Sequence, residues 1–161
     1  MKHSSTLFSL AAVVCSLSSA ALPGARAAQF DITGPARSGA FGTSVTVLSN
    51  GNFVVTDPGY DAPGTIANVG AVYLYDGVTL AVISTLTGST ANDQVGNNGV
   101  TALGNGNFVV SSWLWDNGAA QNAGAVTFAS GDTGISGAVS VTNSLVGSTA
   151  NDMVGNDGVT E

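Results

Sequence analysis

Two stretches of this chain are written twice. Leu48 to Asp61 reads LSNGNFVVTDPGYD and Leu103 to Asp116 reads LGNGNFVVSSWLWD, while LTGSTANDQVGNNGVT from Leu86 returns as LVGSTANDMVGNDGVT from Leu145. The offset is 55 residues for the first pair and 59 for the second. A period of this length makes each copy one supersecondary unit, and a unit too small to bury its own apolar face must pack on its neighbour.

Within a copy the pattern is that of strands. Thr43 to Leu48 alternates small polar and β-branched residues, Asn50-Gly51 is a preferred pair for a two-residue type I′ turn, and Asn52 to Thr56 is again β-rich, which predicts a hairpin. Its twin is expected over Val100 to Ser111 around Asn105-Gly106. Asn50, Gly51, Asn105 and Gly106 are the expected turn formers, because both central positions of such a turn require positive φ. A loop follows, residues 57–69 and 112–123, and then GAVYLY from Gly70 and GAVTFA from Gly124. The first of these is apolar at every position, as in a strand covered on both faces. After Asp76-Gly77 or Gly131-Asp132 a fourth strand is expected, about residues 80–86 and 138–145, the second copy being five residues longer there. No apolar stripe at helical spacing persists, and glycine recurs every few residues.

Four short strands in a unit of about 55 residues is the pattern of a propeller blade. The expected fold is all-β: two four-stranded antiparallel propeller-like blades plus the start of a third, an incomplete β-propeller. Residues 28–40 form a lead-in with at most a short strand around Phe30 to Ile32. Residues 41–94 are the first blade, 95–153 the second, and 154–161 the start of a third that breaks off inside its first strand. Such a chain is expected to be a truncated frame or a piece of a longer protein. Its open edges and faces should favour self-association over a stable monomer.

The unit resembles the FG-GAP repeat of integrin-α-type β-propellers on four features: Phe41-Gly42, a hydrophobic strand, Val54-Val55 running into Pro58, and Gly70-Ala71-Val72-Tyr73. Val95-Gly96 and Val154-Gly155 occupy the Phe-Gly slot in later copies. Members that bind calcium carry a DxDxDG-type loop between the first two strands. Here Ser49-Asn50-Gly51-Asn52 has no carboxylate and cannot supply the six to eight oxygens calcium takes. Gly-Ala-Pro is also replaced, by Thr56-Asp57-Pro58 and Ser111-Ser112-Trp113. The chain is more similar to a bacterial exported repeat family of unknown function with NGNF-VV and GSTAND motifs, a resemblance that implies no activity.

The first 27 residues match an export signal: Lys2 and His3 at the start, an apolar run from Leu7 to Leu17, and Ala25-Arg26-Ala27 as a small-x-small cleavage pattern. The run has 11 residues, with Pro23-Gly24 following, short of the roughly 20 needed to span a bilayer. Cleavage after Ala27 is expected, giving an exported protein that is secreted, periplasmic or displayed at the cell surface. Removing this segment takes away Lys2, His3, Cys15 and Arg26, leaving one cation, Arg37, against ten carboxylates, a formal charge of 1 − 10 = −9. Without Cys, His or Lys there is no thiolate or imidazole chemistry, no Schiff base and no ordinary zinc site. With one Arg there is no basic surface for nucleic acid or an anionic membrane. No cofactor is expected.

The remaining candidates are few. Asp93 with Asn97, and Asp152 with Asn156 and Asp157, lie in Gly-rich connections and are weak calcium candidates. Turn formation by Asx side chains accounts for them without a metal, and no metal site is expected. Tyr60-Asp61 and Trp115-Asp116 are repeat-equivalent aromatic-Asp pairs, which points to packing. Trp113 stands where the first copy has Pro58, and an extended WLW segment would set Trp113 and Trp115 on one face, a platform on which a sugar ring could stack. Burial between blades is the competing account of both. Carboxylates are the only general acids and bases at hand, as in glycoside hydrolysis; Asp57, Asp61, Asp116 and Asp132 are the candidates, and each sits at a turn or repeat-equivalent position. The sequence therefore favours a non-catalytic exported binding or adhesion module for protein or glycan. The alternatives are a purely structural spacer in a long exported protein and, least favoured, a carboxylate glycosidase.

Overall fold

A computed structural model describes residues 29–160. The chain divides into two units, residues 1–31 and residues 32–161. Of the first, only residues 29–31 are described. They have no regular structure, and the Gln29 amide donates to the Asp31 carboxylate at 3.0 Å. The expected signal peptide lies outside the described residues, and no strand forms around Phe30 to Ile32.

The second unit is all-β, and no helix occurs among the described residues. The first repeat supplies β1 (Val45–Val47), β2 (Phe53–Asp57), β3 (Ala71–Tyr75) and β4 (Val82–Thr87), and the second supplies β5 (Val100–Ala102), β6 (Phe108–Ser112), β7 (Ala125–Ala129), β8 (Gly137–Ala138) and β9 (Leu145–Val146). Two sheets result, ordered β1-β2-β3-β4-β8 and β5-β6-β7-β9. The register repeats with the sequence: Val54 pairs with Leu74 and Val72 with Leu86 in the first sheet, as Val109 pairs with Phe128 and Val126 with Leu145 in the second.

Two local expectations are corrected. The hairpins are not two-residue type I′ turns. The Leu48 carbonyl accepts from Gly51 N–H (3.0 Å), Leu48 N–H donates to Asn52 carbonyl (2.8 Å), and only the glycine has positive φ, +91° at Gly51 and +86° at Gly106. Asn50 and Asn105 keep negative φ, because their side chains are used otherwise: each Oδ1 accepts the N–H two residues on, at Asn52 and Asn107. The fourth strand of the second repeat is also not continuous over residues 138–145. The five extra residues make a turn in which Ser140 and Asn143 bond each other, and β8 leaves its own sheet to pair in parallel with Leu86–Thr87 of the first.

Alternation along β3 explains its complete burial. Val72 and Leu74 face the second sheet and, with Val54 and Leu86, meet Phe108, Val110, Ala125 and Ala129. Ala71, Tyr73 and Tyr75 face the other way with Val55, under Ile32, Phe41, Phe53 and Tyr60. The first sheet is thus a middle layer, covered on one side by the second repeat and on the other by the segment that precedes β1.

Candidate functional site

Each β2–β3 type loop is framed in the same way. Tyr60 N–H donates to Asp57 carbonyl (3.1 Å) and Trp115 N–H to Ser112 carbonyl (3.1 Å), closing a turn directly after the strand. The carbonyls of Tyr60 and Trp115 then accept from Gly70 and Gly124 at the far end of the loop, at 3.1 and 2.9 Å. The Asp61 carboxylate takes Asn68 N–H and the Asp116 carboxylate takes Asn122 N–H, both at 2.7 Å. Asn68 and Asn122 adopt positive φ (51° and 50°) and their amides reach Asn92 and Asn151 in the following turn, at 3.2 and 3.3 Å. Gly70 and Gly124 are required here: a side chain at either would collide with the backbone of Val95 or Val154, which runs alongside in a parallel bridge.

The WLW segment is part of this turn and not an extended strand, so Trp113 and Trp115 do not share a strand face. Trp115 is 5% exposed within the core between the sheets, and its indole N–H has no hydrogen-bond partner. Trp113 is half-buried, as are Tyr60, Asp61 and Asp116. Tyr60 packs on the tyrosine cluster of the first sheet.

The carboxylates are largely occupied by backbone donors. Asp93 is fully buried. One oxygen accepts Ser89 and Thr90 N–H (2.8 and 2.7 Å) and the other accepts Asp116 N–H (3.1 Å). Burial is the first cause acting on its acidity and holds its pKa above the ordinary carboxylate value, against the lowering effect of those three donors. Asp152 repeats the first half of this arrangement with Ser148 and Thr149 (2.9 and 2.8 Å) but is exposed. Asp157 and Asn156 are exposed, and the Asn156 carbonyl accepts from the Asn98 amide at 2.9 Å. Asn97 buries its side-chain oxygen without a partner. Asp132 is exposed and accepts from Asn50 at 2.8 Å. Among the described residues no three His, Cys, Asp or Glu side chains come together to hold a metal.

Sequence reasoning missed Asp57 as a buried group. It is fully buried, with one oxygen accepting Ala40 N–H (2.7 Å) and the other unpartnered. Its charge adds to burial in raising the pKa of Tyr73. In the second repeat Ser112 takes its place and accepts Gly96 N–H at 3.0 Å. That Asp-for-Ser exchange within otherwise matched strands was the available signal.

Three surface depressions accompany these elements. One of about 270 Å³ lies between the two hairpin tips, lined by Ser49, Asn50, Asn105, Gly106, Asn107 and Asp132. The other two sit at the equivalent loops: Arg37 and Asp61 with Ala62, Gly64 and Thr65 (about 250 Å³), and Asp116 with Ala91, Asn92, Gln121 and Asn122 (about 200 Å³). The loop frame is therefore constant and its lining is not.

A family model described as a repeat of unknown function (DUF5650) matches the chain twice, over residues 47–97 and 102–156. The chain belongs to this repeat family. Each DUF5650 match begins near the end of the first strand of a sheet and runs through the GSTAND turn, so it contains the hairpin, the framed loop and the Asp93 or Asp152 turn. A comparison with curated proteins finds no match. Among the described residues no helix is long and apolar enough to cross a membrane.

Proposed function

We propose that this DUF5650 chain is an exported, non-catalytic scaffold of the FG-GAP-like propeller type, whose framed loops contact a protein or glycan. One observation carries the proposal. The two loops, residues 58–69 and 113–123, are closed by matching bonds, yet one presents Pro58 and Thr65, beside Arg37 of the preceding segment, and the other Trp113, Asn117 and Gln121. A rigid frame with exchangeable tips is how binding loops are built on a β scaffold. The basic start, short apolar run and small-x-small pattern of residues 1–27 support export. Use of Asp61, Asp93 and Asp116 as backbone acceptors supports a structural role for carboxylates that a glycosidase would need free.

The test is a glycan-array and surface-protein capture screen with the exported chain, followed by Trp113→Ala. The expected outcome is a ligand whose binding is lost in that variant while the melting temperature changes little. Capture that persists after both loops are exchanged for Gly-Ser segments would remove the loops from the account. A spacer role has its own support, since Thr46 Oγ1 donates to Val100 carbonyl (3.4 Å) and Thr101 Oγ1 to Val159 carbonyl (3.3 Å), a contact that repeats from copy to copy.

A further inference from the structure

The two repeats meet through a specific set of groups, and the second repeat carries the same set again on its far side. On the first sheet the face of Val54, Val72, Leu74 and Leu86 is closed by the second repeat, with Leu74 and Leu86 each 1% exposed. The strand register places Val109, Val126, Phe128 and Leu145 at the equivalent positions of the second sheet. There Phe128 is 56% and Leu145 71% exposed and Val126 is half-buried, while Val109, at 7%, is already covered. The polar contacts follow suit. Asn50 donates to Gly131 carbonyl and Asp132 carboxylate across the interface (2.9 and 2.8 Å), and Asp93 accepts from Asp116 N–H. Their counterparts, Asn105 and Asp152, are exposed and point to no equivalent partner among the described residues.

We infer that the Val126-Phe128-Leu145 face is a docking surface for one more unit of the same repeat, presenting a face like that of Phe108, Val110, Ala125 and Ala129. The interface between the two existing copies is the template, and the open side reproduces its first half in apolar and polar groups alike. The occupant is not a second copy of this chain added head to tail. At the other end, Tyr73 and Tyr75 replace Thr127 and Ala129, and Ile32 and Phe41 already cover them, so that end has neither the shape nor the access to dock. Stacking is therefore one-ended.

The experiment compares the full chain with the same chain continued past Thr160 by a duplicate of residues 102–153, which keeps the repeat in phase. Amide exchange in β7 and β9 should slow by about tenfold or more in the extended chain, and its melting temperature should rise. Phe128→Asp, at an exposed position, should leave the original chain's melting temperature unchanged but lower that of the extended chain by several degrees. Asn105→Ala, which also removes the turn bond to Asn107 N–H in both chains, should lower the melting temperature of the extended chain by more than that of the original. Unchanged exchange in β7 and β9, or an equal effect of Phe128→Asp in both chains, would overturn the inference. So would a dimer of the original chain that Phe128→Asp dissolves, because the face would then belong to a second copy.

Discussion

Asp93, in the turn that ends the first repeat, accepts a hydrogen bond of 3.1 Å from the backbone N–H of Asp116, in the framed loop of the second. One buried carboxylate thus closes its own turn and fastens the next repeat to it. Asp93→Ala strands three backbone donors. Since each buried unsatisfied group costs about 1–3 kcal/mol, a loss of roughly 3 kcal/mol or more is expected in urea unfolding. Asp152→Ala removes only the turn half of the arrangement at an exposed site, and about 1 kcal/mol is expected. Equal costs for the two would show that the bond between repeats contributes nothing.

The two tryptophans should separate cleanly. Trp115→Ala opens a cavity between the sheets, and loss of about 3–5 kcal/mol is the usual result for a core Trp. Trp113, half-buried in the turn after β6, should cost well under half of that. Melting temperatures of the two variants check the order, and the emission of the Trp113→Ala protein, which then reports Trp115 alone, should be blue-shifted as for an indole out of water.

The repeat, the all-β class and the strand order within each copy were legible because they rest on period-2 patterning and matched segments such as Phe53–Asp57 and Phe108–Ser112. What was not legible involves partners distant in the chain. Asn50 has high turn propensity, but its amide N–H donates to Gly131 and Asp132, some 80 residues on, and the positive φ of the turn falls on Gly51. β8 could not be foreseen, since a Gly-Ala pair has no strand signal of its own and forms only because the edge of β4 is there to receive it. Trp115 and Asp116 make the same loop-closing bonds as Tyr60 and Asp61. Their roles come from loop closure and from Asp93, which spacing does not reveal.

Calcium should not bind tightly. The Asp93 oxygens are already occupied by three N–H donors, and a cation taking those oxygens would have to displace them. Calorimetric titration should show no saturable micromolar binding, and millimolar calcium should leave the melting temperature where it was. Micromolar binding lost in Asp93→Ala or Asp152→Ala would be the contrary result.

Alkaline pH should unfold the protein through its tyrosine cluster. Burial, then the Asp57 charge, then Tyr60 and Tyr75 raise the pKa of Tyr73, and burial raises that of Tyr75. In the unfolded chain both phenols titrate near the ordinary value of about 10. A phenol whose folded pKa lies above its unfolded one binds its proton more tightly in the fold. The stability it contributes is complete below about pH 10 and is lost as pH rises from there toward the folded value. Stability to urea should therefore be flat from pH 8 to about 10 and fall above it, with phenolate absorbance appearing together with unfolding. Tyr73→Phe cannot ionise and keeps the ring contacts with Phe41 and Tyr75, at centroid distances of 5.8 and 6.4 Å. Its alkaline transition should move to higher pH. Asp57→Ser, which installs the residue found at Ser112, removes the facing charge and should make the fall with pH shallower for the same reason. A transition in Tyr73→Phe at the parent's pH would mean that another group, and not this phenol, sets the alkaline limit.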